Sequence, residues 1–264
     1  MPLRLPVTEA MQPLAILSAL AEEQAGLVER LEQARCVQHA GRTFWLGHLE
    51  QQPVVLALSR IGKVAAATTT AALVERFGVQ GVVFTGVAGG VGEGVHVGDV
   101  VVGAGYVQHD MDASPLFPRY QIPMTPDTVF AADVGLSDAM HAACELALAQ
   151  WPVASHAVRA PRIHQGLIAS GDQFVSSAEA VRRIVQDLHA HGHRPLAVEM
   201  EGAAVAQVCA DYGVPFVAVR TISDRADDTA HVDFPKFIAE VASRYAQEII
   251  LALMRARNGH PHGA

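Results

Sequence analysis

The chain has 264 residues, of which 50% are hydrophobic and 17% are charged. That is enough apolar material for one large α/β core, although the length alone would permit two domains. The net charge of −8 and the lack of a long Lys and Arg cluster argue against a nucleic-acid-binding surface. No uncharged apolar run reaches the ~18 residues that a membrane-spanning helix needs.

The three cysteines, Cys36, Cys144 and Cys209, are far apart and form no C-x-x-C pair. Their odd number and spacing argue against a disulfide framework or a zinc site and suit a reducing compartment. The first residues contain no apolar segment of the kind found in signal peptides. None of the 13 histidines has metal-ligand spacing. We therefore expect a cytoplasmic protein that uses no metal and no cofactor.

The first third of the chain alternates short apolar runs with helical patterns. Leu14–Ala19 is predicted as a strand, and Glu22–Ala34 as an amphipathic helix, because Leu27, Val28 and Leu31 share one face. Two strands that form a hairpin, an alanine-rich helix and a strand covered on both faces follow in chain order: Thr43–Leu49, Val54–Ser59, Lys63–Phe77 and Gly81–Val87.

After a strand over Asp99–Val107, the stretch 108–127 contains four prolines and no clear period. We predict a long surface loop there, a kind of segment that is often functional. The remaining elements in chain order are a helix over Thr128–Gln150, a strand over Gly166–Ser170, a helix opened by a capping box at Ser176–Glu179, a strand over Leu196–Glu199, a helix over Gly202–Asp211, a strand over Val214–Ile222, and a helix from Phe234, capped by Asp233, to about Arg255.

Strands that alternate with helices predict a mostly parallel, twisted sheet covered on both sides. The chain has no linker-like tract, low-complexity segment or internal repeat. We therefore expect one α/β domain over residues 1–264, with flexible ends at 1–12 and 256–264.

In folds of this kind, ligands collect at the carboxyl ends of strands, so polar residues directly after apolar runs are candidate site residues. Four places qualify: Ala21–Glu23, Thr85–Gly90, Val198–Gly202 and Val219–Asp224. The glycines of Thr85–Gly90 let the backbone approach a ligand closely, although a plain tight turn is the simpler explanation for them.

The charged residues in these places also have structural explanations. The acids after the first strand could act only by stabilising the N-terminus of the next helix through its dipole. Asp224 could be only a cap or turn residue. Glu199 and Glu201 would point the same way on a regular strand, which requires a polar cavity because unpaired buried charge is costly. Arg220 could pair with a nearby acid.

Together, these residues resemble the purine nucleoside phosphorylase/uridine phosphorylase superfamily, and most closely its 5′-methylthioadenosine/S-adenosylhomocysteine nucleosidases. The matching segments run in family order from about Ala15 to Leu251: AILSALAEEQAGL, SRIGKVAAATTTAAL, VVFTGVAGGVGEGVHVGDVVVG, GLIASGDQFVSS, AVEMEGAAVAQVC and VPFVAVRTISDRAD. The resemblance implies a single α/β domain with a central twisted mixed sheet flanked by helices, and a homodimer. It also implies hydrolysis of the N-glycosidic bond of adenine nucleosides with a modified 5′ carbon.

The resemblance implies roles for individual residues. Glu23 resembles the acid that orients and deprotonates the attacking water, and Asp224 the acid that gives a proton or hydrogen bond to adenine N7. Glu201 resembles the ligand of the ribose hydroxyls. The other matches are Met200 against sugar and base, the Phe174 ring on adenine, the Val175 backbone at the adenine edge, Ile61 and Phe234 near the 5′ group, Val87, Ala88 and Gly89 in the glycine-rich turn, and Ser223 and Arg220 as support behind the ligand. Because neighbours on a strand face opposite ways, the strand must end or bulge near Met200.

The sequence departs from this family in two places. Val87 stands where many relatives have Ser or Thr, which removes a hydroxyl near the expected ribose or water site. The predicted loop matches only through Gln108–Asp112, similar to the family's His-Asp-Ala-Asp stretch, so the preferred 5′ substituent stays open.

Three alternatives stay open beside the nucleosidase. A nucleoside phosphorylase needs a phosphate site, normally rich in Arg, but Ser18–Glu23 has two acids and no Arg, and Arg60 is the only candidate nearby. An aminodeoxyfutalosine hydrolase would share the adenine and ribose contacts. A non-catalytic nucleoside-binding protein is disfavoured, because Glu23, Glu201 and Asp224 are all present.

Overall fold

The protein is built on one large sheet with helices on both faces. The computed structural model describes residues 12–149, 160–226, 237, 241 and 243–259. The strands are β1 (Leu14–Ser18), β2 (Glu32–His39), β3 (Arg42–Leu49), β4 (Gln52–Leu58), β5 (Gly81–Gly90), β6 (Val100–Gln108), β7 (Phe130–Ala131), β8 (Ile163–Ser170), β9 (Pro195–Glu199) and β10 (Phe216–Asp224). The helices in the described ranges are α1 (Ala21–Gln24), α2 (Lys63–Phe77), α3 (Val134–Ala149), α4 (Ala178–Ala190), α5 (Gly202–Tyr212) and α6 (Ser243–Gly259).

The sheet runs in the order β10-β6-β8-β9-β5-β1-β4-β3-β2, and β10 also pairs with β5, which closes one end into a barrel. β1 is parallel to β4 and β5, whereas β10–β6, β5–β9 and the β2–β3–β4 meander are antiparallel. The sheet is therefore mixed, as the family resemblance implied, and not mostly parallel as the alternation of elements alone suggested. Closure brings the carboxyl ends of β1, β5 and β10 together.

The hydrophobic core lies on both faces of the sheet. On one face α2 and α5 pack together over sheet side chains such as Phe84 and Val101. On the other face α3 and α6 pack over Val83 and Val102. All ten residues of β5 are buried, as expected of a strand covered on both sides. In the part of the chain that the structure describes, no helix combines the length and apolar character needed to cross a membrane.

The predicted helix Glu22–Ala34 is wrong. After the short helix α1 the chain turns at Gly26, where φ is +83°, makes a 3₁₀ turn over Val28–Arg30 and then enters β2. A positive φ interrupts a right-handed helix. β2 was missed because most of its residues are exposed, so it lacks the apolar alternation of a half-buried strand.

Several predicted boundaries also need correction. Thr128–Gln150 contains the two-residue strand β7 before α3 begins, and Asp133 Oδ1 accepts the Leu136 N–H at 2.8 Å at that start. Ser177, within the predicted capping box, is the cap of α4: its hydroxyl accepts the Ala180 N–H at 3.2 Å. The predicted glycine-rich turn Thr85–Gly90 is wrong, because these residues are the last part of β5, where Gly89 and Gly90 still pair with β9. The other predicted elements are found with small shifts at their ends, and no helix or strand lies between Gln108 and Phe130.

The two ends of the chain are only partly described. Residues 256–259 continue α6, so they are helical where a flexible end was expected. The predicted start of the last helix at Phe234, its cap Asp233, the position Gln150 and the expected flexible segments 1–11 and 260–264 lie outside the described residues.

Candidate active site

A cavity of about 260 Å³ opens where β1, β5, β8, β9 and β10 end. It is lined by most of the residues that the sequence singled out: Glu23, Ile61, Val87, Ala88, Gly89, Phe174, Val175, Met200, Glu201, Ser223 and Asp224. Arg220 does not line it and lies fully buried behind it. Phe234 lies outside the described residues. Sequence positions from 23 to 224 are thus brought to one site by the closure of the sheet.

Glu23 is buried, and three backbone N–H groups hold its carboxylate. Oε2 accepts from Ala19 and Leu20, both at 2.9 Å, and Oε1 accepts from Val87 at 3.0 Å. Burial raises the pKa of Glu23, and the hydrogen bonds and the charge of Arg220 offset part of that rise. The result is a carboxylate of fixed orientation that is a stronger base than an exposed glutamate.

Asp224 ends β10 next to an irregularity in the strand. The register with β5 shifts between Ile222 and Asp224, so the neighbours Ser223 and Asp224 both reach the cavity. The Ser223 hydroxyl donates to Asp224 Oδ2 at 2.7 Å, and the Ala226 N–H donates to Oδ1 at 2.7 Å. These two bonds fix the plane of the carboxyl group.

Glu201 follows the end of β9 and stands at the N-terminus of α5. Since β9 stops at Glu199, both Met200 and Glu201 face the cavity, which confirms the prediction that the strand ends near Met200. Glu201 Oε1 accepts the Gly62 N–H at 2.8 Å. Burial, followed by the neighbouring charge of Glu199, raises the pKa of Glu201 to about 8.

Glu199 and Arg220 form a buried ion pair at the back of the cavity, where Glu199 lines the wall and Arg220 lies behind it. Arg220 Nη2 donates to Glu199 Oε2 at 2.7 Å, and the guanidinium lies over the Phe84 ring, 4.1 Å from its centroid. Glu199 also accepts the Ser170 hydroxyl and the Gly202 N–H, which ties the start of α5 to the sheet. The hypothesis that Arg220 pairs with an acid is confirmed, and its position behind the cavity fits support rather than contact with a ligand.

The chain is similar to known proteins over most of its length. A profile of the phosphorylase superfamily matches residues 13–255. The 5′-methylthioadenosine/S-adenosylhomocysteine nucleosidase of Chromohalobacter salexigens is 37% identical over 240 residues, which cover 90% of this chain and 95% of that protein. This chain belongs to that nucleosidase family. The family also accounts for the order of the six sequence segments along the chain.

Solved structures of nucleosidases from this family have the same fold. The Neisseria meningitidis enzyme, crystallised with methylthio-immucillin-A, is 35% identical with a TM-score of 0.82, covering 93% of this chain and 100% of that one. The likeness extends to the futalosine hydrolase of Helicobacter pylori, which is 32% identical with a TM-score of 0.79, covering 92% and 97%.

The apolar wall of this nucleosidase-family cavity includes residues that the sequence did not suggest. Val87 packs against Leu20 and Phe237, so this valine has apolar neighbours. The other additional lining residues are Ala19 and Gln173, whereas Val198 and Glu199 belong to the candidate segment Val198–Gly202. Gln173 precedes Phe174 and Ala19 lies two residues before Ala21–Glu23, and this proximity was the only signal available. Among the described residues, no group of three or more His, Cys, Asp or Glu could hold a metal ion.

Proposed function

We propose that this protein hydrolyses the N-glycosidic bond of 5′-modified adenine nucleosides. The substrates are 5′-methylthioadenosine, S-adenosylhomocysteine and 5′-deoxyadenosine, and the products are adenine and the 5′-substituted ribose. The observation that carries the proposal is the meeting of three buried carboxyl groups, those of Glu23, Glu201 and Asp224, at one cavity in a member of this nucleosidase family.

Departure of adenine is the task we assign to Asp224. Adenine leaves poorly as an anion, so a proton or hydrogen bond at N7 lowers the barrier. The Ser223 hydroxyl and the Ala226 N–H each bond one oxygen of the carboxyl group, which holds it in one plane towards the base. In this proposal the Phe174 ring stacks on adenine and the Val175 backbone bonds its edge.

The sugar gains oxocarbenium-ion character as the bond breaks. Glu201 grips the ribose hydroxyls, and in its deprotonated form its negative charge stabilises the developing positive charge. Met200 packs against the sugar and base, while Ile61 and Phe234 meet the 5′ group. Gly62, which donates to Glu201, has φ +97°, a conformation that glycine adopts readily.

Glu23 activates the attacking water. Its raised pKa makes it a better proton acceptor, and its three N–H bonds hold it at the end of β1. The same charge disfavours phosphate, the nucleophile of the phosphorylases, because an anion next to a buried carboxylate is repelled. Arg220, the buried arginine whose positive charge acts on Glu23, is already paired with Glu199.

A substrate panel with and without phosphate tests this function. We expect 5′-methylthioadenosine to release adenine and free 5-methylthioribose at a rate that added inorganic phosphate does not change. A sugar 1-phosphate as the main product would refute hydrolysis. Aminodeoxyfutalosine belongs in the panel because the likeness extends to a futalosine hydrolase, and a clear preference for it would replace the substrate named here.

We also propose that the protein is a cytoplasmic homodimer. All three cysteines are free, which suits a reducing compartment. Large apolar side chains are exposed at the start of α2 and in the loop that follows β6, among them Val64 and Leu116. Exposed apolar surface of this kind favours a symmetric interface.

A further inference from the structure

A second cavity, of about 800 Å³, adjoins the reaction cavity. The two share Ala19, Leu20 and Ile61 as a common wall. Ile61 is the residue expected near the 5′ group of the substrate, so a chain that extends from the 5′ sulfur past Ile61 enters the second cavity. This larger space has two arginines in its lining, Arg42 and Arg60, whereas the reaction cavity is lined by carboxyl groups.

The two arginines carry uncompensated charge. Among the described residues no carboxylate lies within ion-pair distance of either one. Arg42 donates instead to the backbone oxygens of Ala40 at 3.0 Å and Ala65 at 3.2 Å, and its buried Nε has no partner. Burial, together with repulsion by Arg60, lowers the pKa of Arg42. Two like charges held together without a counter-ion form a site that favours an anion.

The backbone at Arg60 adds an independent observation. Its φ is +67°, a left-handed conformation that few non-glycine residues adopt and that is found preferentially at ligand sites. The side chain donates to the Gly41 backbone oxygen, which directs it along the wall of the second cavity. A glycine would fit this backbone without strain, so the guanidinium of Arg60 can be removed without disturbing the local conformation.

We propose that the Arg42–Arg60 pair binds a carboxylate at the end of the 5′ substituent, so that the enzyme favours substrates whose 5′ sulfur carries an amino-acid chain. The inference rests on the proposed function and narrows its substrate class. Glu29 lines the same cavity and supplies a negative charge for the ammonium group of such a chain. The guanidinium fork suits a carboxylate, which accepts two hydrogen bonds at once.

Three nucleosides separate the contributions: S-adenosylhomocysteine, its analogue without the carboxylate, 5′-(3-aminopropylthio)adenosine, and neutral 5′-methylthioadenosine. The measured quantity is kcat/KM for adenine release by the wild type, Arg60→Gly, Arg60→Lys and Arg42→Met. Arg35→Met is the matched control, because Arg35 is an exposed arginine of β2 outside both cavities. Arg60→Gly is the leading variant, since glycine suits the backbone at that position.

We expect Arg60→Gly and Arg42→Met to lower the ratio of kcat/KM for S-adenosylhomocysteine over 5′-methylthioadenosine by about 10-fold to 100-fold, the value of a charge-assisted hydrogen bond, mainly through KM. Arg60→Lys should keep part of the preference, and Arg35→Met all of it. The analogue without the carboxylate should be insensitive to the arginines.

Three other results overturn the inference in different ways. An unchanged ratio in both arginine variants, with adenine still released, refutes the carboxylate site and leaves the nucleosidase function standing. A wild-type rate that rises with inorganic phosphate, and loses that rise in Arg60→Gly, assigns the pair to phosphate instead. Failure of the wild type to release adenine from any of the three nucleosides refutes the proposed function and this inference together.

Discussion

Three of the buried carboxyl groups at the reaction cavity, those of Glu23, Glu201 and Asp224, have different partners. Glu23 accepts three backbone N–H groups, Glu201 accepts one and lies beside Glu199, and Asp224 bonds to a hydroxyl and an N–H. Carboxyl groups in unlike surroundings can serve unlike steps of one reaction, as acid, base and electrostatic stabiliser. The partners, more than the residue type, therefore support the division of labour proposed above.

Asp224→Asn tests the proton-donor assignment. Asn keeps the shape and can still give one hydrogen bond to adenine N7, but it cannot deliver a proton. We expect kcat to fall at least about 100-fold, the lower end of the range for general-acid catalysis. Folding should survive a near-isosteric change, checked by circular dichroism and thermal melting. Full activity in a well-folded variant would remove the proton-donor assignment and leave Asp224 only a hydrogen-bonding role at adenine N7.

Glu201 makes stability depend on pH. Its pKa is raised from 4.5 to about 8, so between these values the folded protein retains a proton that the unfolded chain has lost. Stability from this group is therefore highest below about pH 4.5 and is lost as the pH rises to about 8. The loss amounts to a few kcal/mol, at roughly 1.4 kcal/mol per pKa unit.

Glu201→Gln should remove this part of the pH dependence. We expect the variant to be more stable than the wild type at pH 8 in urea unfolding, yet less active because its neutral amide cannot stabilise the cationic sugar. Glu93→Gln, which changes an exposed glutamate, is the control and should follow the wild-type curve. A Glu201→Gln curve parallel to the wild type from pH 4.5 to pH 8 would contradict the assignment.

At the scale of elements, the sequence predicted what periodicity controls and missed what tertiary pairing controls. The bounds of α2 were predicted without error, because Gly62 and Gly78 flank an uninterrupted helical pattern. The β3–β4 hairpin was predicted for the same local reason. β2 was missed because an exposed edge strand is defined by its pairing with β3 and not by its own pattern.

The candidate site was predictable to a similar depth. Polar residues after apolar strands pointed to Glu23, Glu201 and Asp224, and all three line one cavity. The sequence did not reveal that the Gly62 N–H holds Glu201, because these residues are 139 positions apart. Nor did it reveal that Arg42 and Arg60 line the same cavity, which depends on how β3 lies against the end of β4.

β5 carries a glycine, Gly86, at the point where it passes the Glu23 carboxylate. A Cβ added at Gly86 would lie 2.9 Å from Glu23 Oε1. We expect Gly86→Ala to displace this carboxylate and reduce kcat by about 10-fold or more, as expected when a catalytic group is misplaced by about 1 Å. Gly135→Ala is the control, since its nearest added contact is an ordinary 3.6 Å. Equal activity of the two variants would refute the positioning role of Gly86.

For the whole molecule, closure of the sheet by the β10–β5 and β10–β6 pairings is what assembles the site. Residues at the ends of five strands line the cavity, so the cavity forms only when the barrel is closed. The exposed apolar side chains lie outside this closed core: Leu116 is 83% exposed and Met124 90% exposed, both in the loop after β6, and Val64 at the start of α2 is 77% exposed. They form a surface that a monomer would leave in water.

We expect the full chain to have about twice its mass of 28.0 kDa in solution. Leu116→Ser combined with Met124→Ser should shift light scattering at micromolar concentration towards the monomer, since removing apolar interface area weakens association. If the partner's loop helps to cover the 5′ pocket, KM for 5′-methylthioadenosine should rise with dilution of this variant. Val134→Ser, which changes an equally exposed residue at the start of α3, is the control and should leave the dimer intact. A wild-type monomer with full activity would refute the dimer and require one chain to build the whole pocket.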